Sequence, residues 1–210
     1  MPAGLFLSFD GLDGTGKTTQ CRRLAAALRS ARLPVVECRD PGGTAVGTKL
    51  RELLLFGKGH VLSPRAEALL FEASRAQLVA EVIRPALERG EVVLSDRYLL
   101  ANVVYAGHAG GLDAADLWRV GGFGTGGLEP DRTLLFDLPV EVARRRGKRD
   151  ADRLESRGPD YMQRVRTGFL AEASRRPDRI SVIDAEPPED FVADRVWAVV
   201  EPLVKRWRAG

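Results

Sequence analysis

An apolar run from Leu5 to Phe9 passes straight into Gly11-Leu12-Asp13-Gly14-Thr15-Gly16-Lys17-Thr18, and this junction constrains the fold more than any other stretch. The octet fits G-x-x-x-x-G-K-[ST], a loop that wraps phosphate between a strand and a helix. Its glycines let backbone N–H groups turn inward around phosphate oxygens with no Cβ in the way. Lys17 supplies a point charge for the outer phosphates, the Thr18 hydroxyl is a ligand for Mg²⁺, and the following helix adds its positive dipole end. A strand, a tight loop and a helix in that order begin an α/β fold.

The chain's 210 residues suffice for one domain with a real core, and 44% hydrophobic with 29% charged residues is ordinary globular composition. No apolar run has membrane-spanning length, and the N-terminus lacks the charged and apolar regions of a secretory leader, so a soluble cytoplasmic protein is expected. Cys21 and Cys38 form no C-x-x-C pair and are expected to be reduced, structural thiols. A net charge of +3 permits nucleic-acid binding, yet no nucleic-acid motif and no interleaving of basic and aromatic residues is present. Neither a nucleic-acid nor a membrane partner is expected.

Along the chain, five short apolar segments alternate with helical patterns. Leu5–Phe9, Val35–Cys38, Glu91–Ser95, Thr133–Asp137 and Ile180–Asp184 read as buried strands. Helical spacing predicts helices over 18–32, 45–56, from Ser63-Pro64 to a kink or end near Pro85, 113–120, from Pro139, 161–173 and 190–207. The stretch 121–127 reads as a glycine-rich connector. The pattern predicts a single α/β P-loop domain over 1–210, a five-stranded parallel sheet flanked by helices. Residues 144–157, rich in arginine and interrupted by Gly147, read as a short lid; if helical, it would align Arg145, Arg149 and Arg153 on one face.

Loops at the carboxyl ends of parallel strands bind ligands in such sheets. That places Arg39 after the second strand, and Asp96 and Arg97 after the third, around one crevice. Asp96 is the residue expected to act with Thr18 on Mg²⁺. Phe71 and Arg75 share a helix face at i, i+4. Among phosphate-loop proteins, a guanine-reading N-K-x-D motif is absent, since the sole asparagine, Asn102, precedes Val-Val-Tyr. Motor and transporter ATPases need partner modules. A small kinase needs an acceptor pocket and a cationic lid, which Arg39, Arg75, Arg97 and the 144–157 segment supply. Gly11, Leu12, Asp13, Gly14, Thr15, Gly16, Lys17 and Thr18 are then the ATP-binding residues.

The set GLDGTGKTT, CRDPGGT, FEASRAQ, SDRYLLANVVY and FGTGGLEPD resembles the bacterial thymidylate kinase family over nearly the whole chain. The resemblance implies a nucleoside monophosphate kinase fold with a central first strand, a homodimer, and Mg²⁺-dependent transfer from ATP to dTMP. It implies that Phe71 stacks on thymine, Arg75 donates to a thymine carbonyl, Asn102 reads the base edge and Tyr105 crowds the 2′ side of the sugar. Asp13 would contact the acceptor sugar and phosphate region, and Arg39 and Arg97 would clamp the acceptor phosphate. Thr15 stands where some relatives carry arginine, so the catalytic set becomes Lys17, Arg97 and a lid arginine, Arg149 or Arg153. Ala101, Ala106 and Gly110 depart from the family's usual serine, glutamine and arginine, which bears on base selectivity. Kinases of other deoxynucleosides or their monophosphates, and a regulatory nucleotide-binding module without turnover, are the alternatives.

Overall fold

A computed structural model describes residues 4–57, 61–147, 153–154 and 157–209. Its frame is five parallel strands, β1 (Leu5–Gly11), β2 (Val35–Arg39), β3 (Val92–Asp96), β4 (Arg132–Asp137) and β5 (Ile180–Asp184), in spatial order β2-β3-β1-β4-β5. The first strand is central, as the family resemblance implies, and every residue of β1 and β3 is buried. Side chains alternate across the sheet. Leu5, Leu7 and Phe9 of β1, with Val92 and Leu94 of β3, join one apolar core. Phe6 and Val93 enter the other. Helices cover both faces, as an all-parallel sheet requires.

Helix α1 (Lys17–Ser30) follows the phosphate loop and buries Cys21, Leu24, Ala25 and Leu28, the stripe legible in the sequence. Helix α2 (Ala45–Arg51) runs into a π turn over Glu52–Phe56. Helix α3 (Pro64–Leu78) starts as expected, with the Ser63 hydroxyl accepting from the Ala66 N–H and Pro64 in the first turn. Pro85 neither ends nor breaks the path. A π turn over Val79–Ile83 precedes it, and α4 (Arg84–Glu88) continues beyond. The wider turn includes Glu81, whose carbonyl the proline ring would meet in a regular helix.

Helix α5 (Leu99–Asn102) continues into a π turn over Val103–His108. The stretch read as a glycine connector is mostly helix: α6 spans Ala114–Thr125 and stops at Gly126 in the left-handed conformation. Glycine is a poor helix former, but here packing overrides propensity. A Cβ on Gly121 would collide with Leu99 of α5. Helix α7 (Val140–Arg146) ends well before Arg153, so no single helix carries both Arg145 and Arg153. Helices α8 (Pro159–Arg175) and α9 (Glu189–Ala209) extend the expected spans by a residue or two at each end. No helix among the described residues is long and apolar enough to cross a membrane.

A buried carboxylate knits three of these elements. Glu172 of α8 sits 2.7 Å from His108 Nε2, accepts from Trp118 Nε1 of α6 at 3.2 Å and from Arg175 at 2.9 Å. Burial by itself would raise its pKa; the bonds from His108, Arg175 and Trp118 outweigh it and hold the carboxyl below its ordinary value. A depressed carboxylate contributes stability above its unfolded pKa and loses it as pH falls through the folded one. Glu172→Gln should therefore cost about 1–2 kcal/mol near neutral pH. In acid, below the ordinary glutamate range, that gap should shrink. Urea denaturation of both proteins across pH measures it, and a pH-independent gap contradicts the linkage.

Candidate active site

Parallel register assembles the site. Phe9 of β1 and Arg39 of β2 both lie opposite Asp96 of β3, so three strand ends open at one edge of the sheet. The phosphate loop leaves β1 there. Gly14 (φ 80°) and Gly16 (φ 86°) take backbone conformations that side chains rarely adopt. A Cβ on Gly14 would strike the Ala143 carbonyl of α7, whereas one on Gly16 would meet nothing within 4 Å. The loop is therefore packed from below and open above Gly16, where α1 begins, a space suited to an anion at a helix N-terminus.

Lys17 is buried and folded back onto its own loop. Its Nζ donates to the Leu12 carbonyl at 2.6 Å and to Asp13 at 3.3 Å, and the Thr15 hydroxyl donates to the same carbonyl at 2.8 Å. Burial and the neighbouring Arg97 pull the Lys17 pKa below its ordinary value. Thr18 Oγ1 donates to Asp96 Oδ2 at 2.6 Å, so the two expected metal residues stand side by side. A hydroxyl and a carboxylate are the donor chemistry of a hard divalent cation that draws its remaining ligands from water and phosphate. No group of three or more His, Cys, Asp or Glu residues able to hold a metal occurs among the described residues.

Arg97 joins this loop to a second compartment. Its backbone is left-handed at φ 71°, a conformation that costs a non-glycine residue about 1–3 kcal/mol. Several contacts hold it there. The Arg97 N–H donates to the Phe9 carbonyl at 2.9 Å, and its carbonyl accepts from Ser95 Oγ at 2.6 Å. The guanidinium donates to the Gly11 carbonyl at 2.9 Å and to Asp13 at 2.6 Å, and lies over the Tyr105 ring at 5.4 Å. Burial opposes its charge, but Asp13 and its other anionic neighbours outweigh that and raise the pKa well above the ordinary value. Asp13 thus contacts both Lys17 and Arg97 through one oxygen, Oδ1.

Beyond Arg97 lies a cavity lined by Asp13, Arg39, Phe71, Arg75, Asn102 and Tyr105, all six named from the sequence. Arg75 differs from a free cation. Only 2% exposed, its Nε donates to Asp40 Oδ2 at 2.6 Å, and its Nη1 stands 2.6 Å from Glu72 Oε1. Burial works against the charge, yet Asp40 and Glu72 keep the Arg75 pKa above the usual arginine value. Two carboxylates neutralise it, so it serves as a directed donor and not as surplus charge for an anion. Asn102 is likewise buried, its Nδ2 donating to Glu72 Oε1 at 2.6 Å and to the Ala68 carbonyl at 3.2 Å.

Of the lid arginines, Arg149 lies outside the described residues. Arg153 pairs with Glu67 of α3, and Arg157 donates to both oxygens of the same carboxylate at 2.8 Å. Leu154 between them lines the cavity with Phe71. Four carboxylates of the site were not assigned a role from the sequence: Glu67, Glu72, Asp40 and Asp10. Glu72 sits three residues before Arg75, whereas Glu67 meets Arg153 across 86 positions. Asp10 is the penultimate residue of β1, with neither carboxylate oxygen hydrogen-bonded in the structure and one at 3.9 Å from Arg97. Burial pushes its pKa up to about 7 against the opposing charges of Arg97 and Lys17.

The family model for Thymidylate kinase matches residues 9–196. A Bifidobacterium longum protein named Thymidylate kinase is 47% identical over 206 residues, spanning 97% of this chain and 98% of its own. Proteins of that name from Thermomicrobium roseum and Deinococcus radiodurans are each 46% identical, over 97% and 95% of this chain. The crystal structure of thymidylate kinase from Ehrlichia chaffeensis superposes with a TM-score of 0.77 at 30% identity, covering 95% of this chain and 99% of that one.

Proposed function

Because the chain belongs to the thymidylate kinase family, we propose that it transfers the γ-phosphoryl group of ATP to dTMP, giving dTDP and ADP. The observation that carries this reading is the continuity of the two compartments through Arg97 and Asp13. Donor loop and acceptor cavity share these side chains, so phosphates bound on either side meet at one guanidinium.

Residues 11–18 hold the phosphates of ATP in this scheme, and the whole chain, 1–210, acts as one kinase unit with a lid near 144–157. Lys17 leaves the Leu12 carbonyl for the outer phosphates. Arg39 and Arg97 grip the dTMP phosphate from two sides and aim one of its oxygens at the γ-phosphorus. That oxygen bonds to phosphorus as the bond to the ADP oxygen breaks, in line. Lys17, Arg97 and a lid arginine, Arg149 or Arg153, stabilise the charge spread over the transferring group. Thr18 and Asp96 would hold Mg²⁺, which supplies charge neutralisation on the β- and γ-phosphates when bound. Since Arg153 pairs with Glu67, its use in catalysis requires exchange of that partner for phosphate.

In the acceptor cavity Phe71 stacks on thymine, Arg75 donates to a ring carbonyl and Asn102 reads the adjacent edge. Tyr105, backed by Tyr161 and Phe169, crowds the 2′ position and disfavours ribose. We assign the protein to the cytoplasm. A coupled ADP-release assay over nucleosides and nucleoside monophosphates, with Mg²⁺, should rank dTMP among the best acceptors. Arg97→Ala should cut kcat/KM for dTMP by about a hundredfold or more while ATP binding changes little. Nucleotide binding without turnover on any acceptor would instead favour a regulatory module.

We also propose that the chain works as a homodimer through α3 and α6. Phe123 is 90% exposed and Leu69 56%, and Leu69 shares a surface groove with Val120. Apolar side chains grouped this way mark a contact surface. Sedimentation equilibrium should give twice the chain mass, and Phe123→Glu should shift the population towards monomer. A wild-type monomer at micromolar concentration removes this proposal.

A further inference from the structure

Glu72 stands behind Arg75 and Asn102, the two residues assigned hydrogen bonds to the base, and nothing in the family reading gives it a role. It is buried on α3 between Phe71 and Arg75. Its Oε1 accepts from Asn102 Nδ2 and stands against Arg75 Nη1, each at 2.6 Å. The Arg75 contact is an ion pair by distance, and the N–H is not aligned on the oxygen. Asp40 holds the other side of the guanidinium through Nε.

The consequence for Asn102 follows from donor and acceptor types. An amide has one face that only donates and one that only accepts. Both partners that Asn102 meets on its Nδ2 side, the Glu72 carboxylate and the Ala68 carbonyl, are pure acceptors. A turned amide would set its oxygen against two oxygens. Glu72 therefore allows one orientation, in which Oδ1 is left as a buried acceptor with no partner. Arg75, its charge balanced by Glu72 and Asp40, is left with donors only. The cavity wall then offers one acceptor beside one donor.

We propose that Glu72 is the positioning residue for base selection, resting on the dTMP reading above. By fixing Asn102 as acceptor and Arg75 as donor, it selects a pyrimidine carrying N3–H and a 4-oxo group over one with a bare N3 and a 4-amino group. A 4-amino base would present a donor to Arg75 and an acceptor to Asn102 Oδ1, so both contacts would be mismatched. A site built around such hydrogen bonds discriminates because the mismatched groups stay buried and unpaired.

Steady-state kinetics of wild type, Glu72→Gln and Glu72→Ala with dTMP, dCMP and N3-methyl-dTMP tests this. In wild type, dCMP and the N3-methylated nucleotide should be poor acceptors. In Glu72→Gln the side chain at 72 can donate as well as accept, and the Ala68 carbonyl alone is left to favour one orientation of Asn102, so the dTMP-to-dCMP ratio of kcat/KM should fall by about tenfold or more. The handicap of N3-methylation should shrink with it, and KM for ATP should stay within about twofold. The double variant E72Q/N102D gives a rescue. A carboxylate at position 102 offers only acceptors and can bond the new glutamine, so the dTMP preference should return; a residue needed only for folding predicts no return. A wild type that favours dTMP, with all variants keeping the ratio, overturns the role of Glu72. A wild type that does not favour dTMP overturns the parent reading and this proposal together.

Discussion

The pairing of β1 with β3 sets the position of every other functional element. With Phe9 opposite Asp96, the first residue after β3 must turn within reach of the Phe9 carbonyl, and Arg97 does so in a left-handed conformation. That strained turn throws its guanidinium back across the end of β1, onto the Gly11 carbonyl and Asp13. One backbone register thus joins the phosphate loop to the acceptor cavity. The strain of about 1–3 kcal/mol persists because four hydrogen bonds and an aromatic ring hold the residue from different directions.

Charge is handled differently in the two compartments. Around the acceptor base, each buried charge has an opposite partner: Asp40, Arg75 and Glu72 form a chain excluded from water. Removing one member of such a chain costs about 3–5 kcal/mol because the others stay buried and uncompensated. The return on that arrangement is a cavity wall whose donors and acceptors cannot turn. Near the phosphates the charges are looser. Lys17 rests on a loop carbonyl, Arg153 and Arg157 on Glu67, and Asp10 has its charged form disfavoured by burial. Such groups can exchange partners when anions arrive.

Much of this was legible from residue order. The phosphate loop, five apolar strands and amphipathic stripes such as Cys21, Leu24 and Leu28 follow from local periodicity, and the strand ends moved by no more than a residue or two. Local rules failed where neighbours in space decide. Glycine propensity argued against a helix over 121–125, but close approach to α5 rewards the missing Cβ at Gly121. Pro85 should kink or end a helix, yet the chain stays helical through it, with a π turn ahead of it. Phe71, Arg75, Asn102 and Tyr105 were found because their motifs are recognisable. Glu72 and Glu67 were not, since an acidic residue on a helix looks the same whether it faces solvent or a buried arginine.

The sequence by itself determined the phosphate loop, the parallel α/β order and the types of side chain at the crevice. Those depend on spacing along the chain, which periodicity and glycine placement encode directly. Only the tertiary structure decided which partners the charges take: that Asp13 contacts both Lys17 and Arg97, that Arg75 is neutralised, and that Asn102 keeps its oxygen free. The physical reason is range. Helix and strand signals act over a few residues, whereas Asp40 reaches Arg75 across 35 positions and Asp13 reaches Arg97 across 84. The octet at the start of the chain marks where phosphate binds; the folded sheet brings the remaining charges to it.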